Sequence, residues 1–171
     1  MKLIIYNKEL QKKKGVNIED YKKASGKWRI IEENGKGREY DLNTNELLFE
    51  GEYSNGKKNG KVKEYYYSDI LKFKGEYLNG KKWNGKGYNK TRHAEYEIKD
   101  GNGYIKEYFD NGKLEFEGEY LNGKKNGKGK EYYYDDKLEY EGEYLNGERN
   151  GKGKEFYYDG NLKFEGEYLK E

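Results

Sequence analysis

Six glutamates, Glu52, Glu76, Glu95, Glu119, Glu143 and Glu167, sit at the centre of closely similar triplets. Carboxylates in pairs do acid and base chemistry, and a glycosidase pair needs one carboxyl with a raised pKa in a partly closed pocket. Their regular recurrence points elsewhere. Each alternates with an apolar or aromatic neighbour, which places it on the wetter face of a strand, in rows with lysines that give modest cross-strand pairing and solubility. His93 is the only histidine, and the chain has no cysteine; without a second imidazole or zinc-type spacing it reads as a turn residue on the solvent side. The Asn-Gly-Lys-Gly runs at 84–87, 126–129 and 150–153, with Asn-Gly-Lys at 59–61, look like phosphate cradles. A phosphate loop, however, joins a strand to a helix N-terminus and carries a hydroxyl after its lysine. Turn geometry and close backbone packing account for these glycines. No catalytic, cofactor-binding or metal-binding residue is expected, and the chain reads as non-enzymatic.

The elements that carry these residues follow from a repeat. Residues 116–134 and 140–158 are one sentence written twice, 24 residues apart. The anchor is Gly-Glu-Tyr, with Gly118 and Tyr120, Gly142 and Tyr144, Gly166 and Tyr168, and earlier Gly51 and Tyr53, Gly75 and Tyr77. Looser copies place Tyr96 and Trp28 as anchor aromatics, and the one large irregularity is the step of 19 from Gly75 to Ala94. Leu114, Phe116, Gly118 and Tyr120 alternate with Glu115, Glu117 and Glu119, the signature of a strand with one apolar and one wet face. Turn residues follow, then a returning strand over 130–134. A unit of 24 residues has no room for a crossover helix. The expected fold is therefore all-β: a single elongated, twisted antiparallel sheet, a solenoid of stacked β-hairpins.

Composition supports this. A chain of 171 residues with 40% charged residues and a mean hydropathy of −1.44 leans toward disorder by simple count. Its 21 tyrosines, six phenylalanines and two tryptophans argue the other way because they fall in register, and large rings bury apolar area well. No apolar run approaches the roughly 20 residues of a membrane span, and a cytoplasmic protein is the expectation. Residues 1–25 carry a net charge of +4, including Lys12, Lys13 and Lys14, while the rest of the chain carries −2. We expect residues 1–25 to be an atypical capping hairpin or extension and residues 26–171 to be the array.

The array is least regular in its middle. Trp83 is inserted into what would be Lys-Lys-Asn-Gly, and a shortened hairpin with its tip at 89–92 precedes Ala94. Another segment, 41–46, is one residue longer than its counterparts, as a longer turn would make it. Tyrosines outside the core would supply amphipathic contact area for a partner, and Tyr66, Tyr88 and Tyr104, with Trp83, are the candidates.

The repeat resembles that of the MORN (membrane occupation and recognition nexus) family, especially its bacterial-type variant, some members of which are antitoxin-like. Gly118, Glu119, Tyr120, Asn122, Gly123, Gly127, Gly129 and Tyr133 carry the resemblance, and Gly142, Glu143, Tyr144, Asn146, Gly147, Gly151, Gly153 and Tyr157 repeat it. Departures are the period of 24 rather than the family's usual 23, tyrosine for the common anchor tryptophan, and Asn126 and Asn150 where many members have histidine. The resemblance implies an elongated solenoid without enzymatic activity, serving as a scaffold or dimerisation module. A protein partner or self-association is the leading expectation. Anionic-lipid contact through Lys12, Lys13 and Lys14 is the alternative, although the array itself is nearly neutral. Nucleic acid is disfavoured by the glutamates that share strands with the lysines. A single sheet also has to bury its aromatic stripe, which requires curvature or a covering partner.

Overall fold

The computed structural model describes residues 26–109 and 111–169; the expected capping hairpin, with Lys12, Lys13 and Lys14, lies outside them. The described residues form thirteen strands: β1 (Lys27–Ile31), β2 (Lys36–Asp41), β3 (Leu47–Ser54), β4 (Lys57–Tyr66), β5 (Ile70–Leu78), β6 (Lys81–Tyr88), β7 (Ala94–Ile98), β8 (Gly103–Tyr108), β9 (Leu114–Leu121), β10 (Lys124–Tyr132), β11 (Leu138–Leu145), β12 (Glu148–Phe156) and β13 (Leu162–Tyr168). Every strand pairs antiparallel with its sequence neighbour, except that the ladder divides into a seven-stranded sheet, β1 to β7, and a six-stranded sheet, β8 to β13. The fold is the expected all-β hairpin solenoid, with one interruption where a single bridge, Lys99 to Asn102, joins the sheets.

Local chemistry sets the two margins. Along one, two-residue turns at Asn55-Gly56, Asn79-Gly80, Asp100-Gly101, Asn122-Gly123 and Asn146-Gly147 put both residues at positive φ. This is the turn whose twist matches that of the flanking strands, and Asn or Asp before Gly is the pair that adopts it most readily. The opposite margin uses longer turns, such as 133–137 and 157–161, closed by Tyr133 N–H to Lys137 O and Tyr157 N–H to Asn161 O, both 2.8 Å. The shortened hairpin is closed in the same way, Asn89 N–H bonding His93 O at 3.0 Å, and 41–46 is a turn closed by Asp41 N–H to Glu46 O at 2.9 Å.

The first margin is also stitched between hairpins. The Asn59 side-chain oxygen accepts the Asn79 N–H at 3.0 Å, and Asn84, Asn102 and Asn126 do the same for Asp100, Asn122 and Asn146. Beside these bonds, the N–H groups of Gly80, Gly101, Gly123 and Gly147 reach the carbonyls of Lys58, Trp83, Gly101 and Lys125, each at 2.8 Å. The stitching runs past the break between the sheets. The Asn-Gly-Lys-Gly runs are therefore not the turns themselves: their asparagines begin the returning strands and hold the next turn in place.

Among the described residues the aromatic stripe is buried without a second layer. Phe49, Tyr66, Phe73, Phe116 and Tyr140 have at most 1% of their surface exposed, and Tyr53, Tyr77 and Tyr144 are also buried. The rings lie down on glycine. A Cβ at Gly129 would stand 2.7 Å from the Phe116 ring and 3.1 Å from that of Tyr144, and one at Gly37 would stand 2.7 Å from the Tyr53 ring. Edge-to-face contacts then run along the stripe: Phe49 to Tyr53 at 5.4 Å, Phe116 to Tyr144 at 5.5 Å and Tyr140 to Tyr168 at 5.3 Å between centroids.

Candidate interaction surface

The ring-bearing face contains charge that the alternation of glutamates does not reveal. Opposite four of the anchor tyrosines stands a cation: Tyr53 faces Lys58, Tyr77 faces Lys82, Tyr120 faces Lys125 and Tyr144 faces Arg149. These cations lie over the rings, Lys58 Nζ 3.8 Å from the Phe49 centroid, Lys125 Nζ 4.0 Å from that of Phe116, and the Arg149 guanidinium 4.3 Å from that of Tyr140. They are matched by a second series of glutamates from the returning strands. Lys58 meets Glu39 at 3.1 Å and Glu64 at 3.7 Å; Lys82 meets Glu64 at 3.7 Å and Glu107 at 3.5 Å; Lys125 meets Glu131 at 2.7 Å; Arg149 meets Glu131 at 2.6 Å and Glu155 at 3.0 Å. The pairs form a ladder along the solenoid.

Burial by itself opposes ionisation of Glu64, but Lys82, Lys58 and the Tyr77 hydroxyl 2.6 Å away outweigh it and hold the carboxyl at about 2. Glu39 is lowered in the same way, with burial overcome by Lys58, Arg29 and the Tyr53 hydroxyl. Burial would release the Lys82 proton, yet Tyr96, Glu64, Tyr77 and Glu107 around it push its pKa well above that of a free lysine. These are ionised, mutually satisfied groups that stabilise the ring face. The sequence signal was present and passed over: Lys58 and Lys82, Lys125 and Arg149, and Glu131 and Glu155 each keep the 24-residue step.

Two expected anchors fall elsewhere. Trp28 stands opposite Tyr40 and stacks on it at 4.4 Å, whereas the strand registers put Arg29 where later units have Phe116, so Trp28 does not take the place of an anchor tyrosine. The first hairpin closes early, through Glu32 N–H to Lys36 O, and lacks the long Tyr-Leu-Asn-Gly end that sets the register in later units. Gly85 stands opposite Gly75 as Gly129 stands opposite Gly118, so Ile98, paired with Gly85, takes an anchor-glycine position, and Tyr96, paired with Gly87, takes the position of Tyr140 rather than of an anchor tyrosine. The Tyr96 ring lies directly over Gly87, where a Cβ would overlap it. Gly51, Gly75, Gly118, Gly142 and Gly166 all stand in one register, opposite Val62, Gly85, Gly129, Gly153 and Gly153 respectively.

The candidate contact residues separate. Tyr66 has no exposed surface; its hydroxyl donates to the Tyr88 carbonyl at 3.0 Å, so it is a core residue and offers no contact area. Trp83 and Tyr88 are half-buried, and Tyr104 is 54% exposed. Trp83 packs against the Asp100-Gly101 turn, where a Cβ on Gly101 would lie 2.8 Å from its ring. His93 is exposed in the shortened turn, its Nδ1 2.9 Å from Thr91 Oγ1.

The charged face holds two open clefts. One, of about 750 Å³, runs over the first sheet between Ile30, Arg38, Glu50, Lys63, Lys74, Lys86 and Glu97, with Tyr88 in its wall. The other, of about 630 Å³, lies over the second sheet and ends at Tyr104. Glu52, Glu76, Glu119, Glu143 and Glu167 are all exposed, in open rows. Among the described residues no helix is long and apolar enough to cross a membrane.

No curated protein matches the chain. The MORN repeat profile matches residues 49–68, 116–137 and 140–162, and the MORN repeat variant profile matches 101–122. Repeats of this type are generally associated with modules that bind proteins or membrane lipids rather than with enzymes. Matched segments in both sheets, carried on stacked hairpins of one register, show that the array contains MORN repeats.

Proposed function

We propose that the chain is a non-enzymatic protein-interaction scaffold that presents its charged face, with Tyr88, Tyr104 and Trp83 near the joint between the sheets, to a protein partner. The observation that carries this reading is the division of labour between the faces. The rings of one face are buried by one another and by ion pairs, which leave there a smaller cleft of about 310 Å³ beside Lys82 and Tyr120, while the charged face holds the two larger clefts, each with an aromatic side chain. Aromatic contacts inside a polar rim are the usual anatomy of an interface. Self-association is the second reading, favoured by β13, an outer strand of its sheet on which Leu162 is 51% and Phe164 43% exposed.

The test combines capture from the source cell, light scattering of the purified chain and co-sedimentation with anionic vesicles. A protein captured by the parent and lost with Trp83→Ala or Tyr104→Ala supports the scaffold, as does a dimer broken by Phe164→Glu. A strictly monomeric chain that captures nothing specific contradicts it. So does tight, headgroup-selective vesicle binding that survives changing Lys12, Lys13 and Lys14 to glutamine.

A further inference from the structure

Charges on the open face follow a rule in one sheet and break it in the other. Across the second sheet, cross-strand neighbours read Lys106, Glu117, Lys130, Glu141, Lys154, Glu165, alternating without a fault. Lys130 meets Glu141 at 3.8 Å and Lys154 meets Glu165 at 3.1 Å. The matching row of the first sheet reads Arg38, Glu50, Lys63, Lys74, Lys86, Glu97. Three lysines are thus direct neighbours on β4, β5 and β6. Lys74 is the residue out of place, since the same position holds Glu50, Glu117, Glu141 and Glu165 in other units. Lys63 and Lys86 have carboxylates at the outer ends of the trio, Glu50 at 3.0 Å and Glu97 at 3.8 Å. Lys74 is exposed and makes no ion pair among the described residues. Like charges directly opposite one another destabilise a sheet, so nothing in the isolated fold favours a lysine there.

We infer that Lys63, Lys74 and Lys86 form a docking row for an acidic peptide segment of a protein partner. The row spans about 10 Å at the usual strand spacing of about 4.8 Å, a distance that two or three carboxylates on one side of a peptide can match. It crosses the 750 Å³ cleft, which has Ile30 and Tyr88 for apolar contact and is large enough for several side chains. Charge complementarity chooses the occupant. A basic or neutral segment would leave the trio uncompensated, whereas carboxylates supply the partners that alternation provides in the second sheet. This inference rests on the protein-interaction reading above and names the chemistry of the partner.

The test uses a fluorescent hexaglutamate peptide at low salt, with fluorescence anisotropy as the readout. Lys74→Glu, which restores the alternation, should weaken binding about tenfold or more, as expected for reversing a charge at the centre of a complementary patch. Its melting temperature should be equal to or above that of the parent, which separates lost binding from lost folding. Transplanting the feature, Glu141→Lys in the second sheet, should create a second site for the same peptide. Binding should fall steeply at 0.5 M salt. Peptide affinity unchanged by Lys74→Glu overturns the inference, as does Lys74-dependent binding of phosphatidylserine vesicles without binding of the peptide. If the peptide result fails while a captured partner still depends on Tyr104 or Trp83, only this row is wrong. If no protein is captured and the chain stays monomeric, the scaffold reading itself has failed.

Discussion

Glu64 shows how one residue carries several obligations on the ring face. Its carboxylate accepts from the Tyr77 hydroxyl and faces both Lys58 and Lys82, so it ties three strands together through charge. A carboxyl held at about 2 in the fold and near its ordinary 4.5 when unfolded contributes stability that is complete above pH 4.5. That contribution is lost as pH falls from 4.5 toward about 2. Glu39 and Glu131, also lowered, act in the same direction. Thermal melts should therefore hold steady from neutral pH to about 4.5 and decline below it. Glu64→Gln should cost about 3 kcal/mol at neutral pH, because it leaves Lys58 and Lys82 short of a partner, and should make the acid decline shallower. The sequence shows these residues only as members of a charged repeat. Strand parity places Glu52 or Glu119 on the wet face, but the bulges between Glu64 and Tyr65 and between Glu131 and Tyr132 interrupt that parity at the end of each returning strand.

At the scale of an element, the hairpin was legible in outline and its joinery was not. Apolar alternation, the Asn-Gly pairs and the 24-residue step were enough to specify hairpins and their antiparallel order, but the returning strand expected over 130–134 runs over Lys124–Tyr132, because the glycine-rich run after the turn is itself strand. The asparagine stitch was misread as turn chemistry because Asn-Gly occurs twice per unit, first as a turn and then as the start of a strand. Asn126→Ala should cost about 1 kcal/mol, the usual net value of one such hydrogen bond, and should speed amide exchange at Asn146, whose N–H loses its acceptor. Unchanged exchange at Asn146 would count against the stitch. The anchor register failed at both ends of the first sheet for a related reason. Trp28 and Tyr96 match the repeat by residue type and spacing, but hairpin length fixes pairing, and a short first hairpin and a shortened β6–β7 hairpin shift it.

For the whole molecule, the joint between the sheets decides whether the array behaves as one body. Lys82 on β6 reaches Glu107 on β8, and Lys72 on β5 donates to the Tyr108 carbonyl at 2.5 Å, so buried charge spans the gap in the ladder. In a repeat array each unit draws stability from its neighbours, and Lys82→Met should split one denaturant transition into two, seen by fluorescence and circular dichroism diverging. Sequence reading also raised the problem of burying rings in a single layer; glycines beneath Tyr53, Phe73, Phe116 and Tyr140 and cations over Phe49, Phe116 and Tyr140 answer that need among the described residues without a second layer. The central claim is that the ring face holds the fold and leaves the charged face free for a partner. Urea unfolding of Tyr144→Ala beside Glu143→Ala, neighbours on opposite faces of β11, tests it most directly. The account predicts a loss of about 3 to 5 kcal/mol for the tyrosine and a change within about 0.5 kcal/mol for the glutamate; equal losses at the two positions would contradict it.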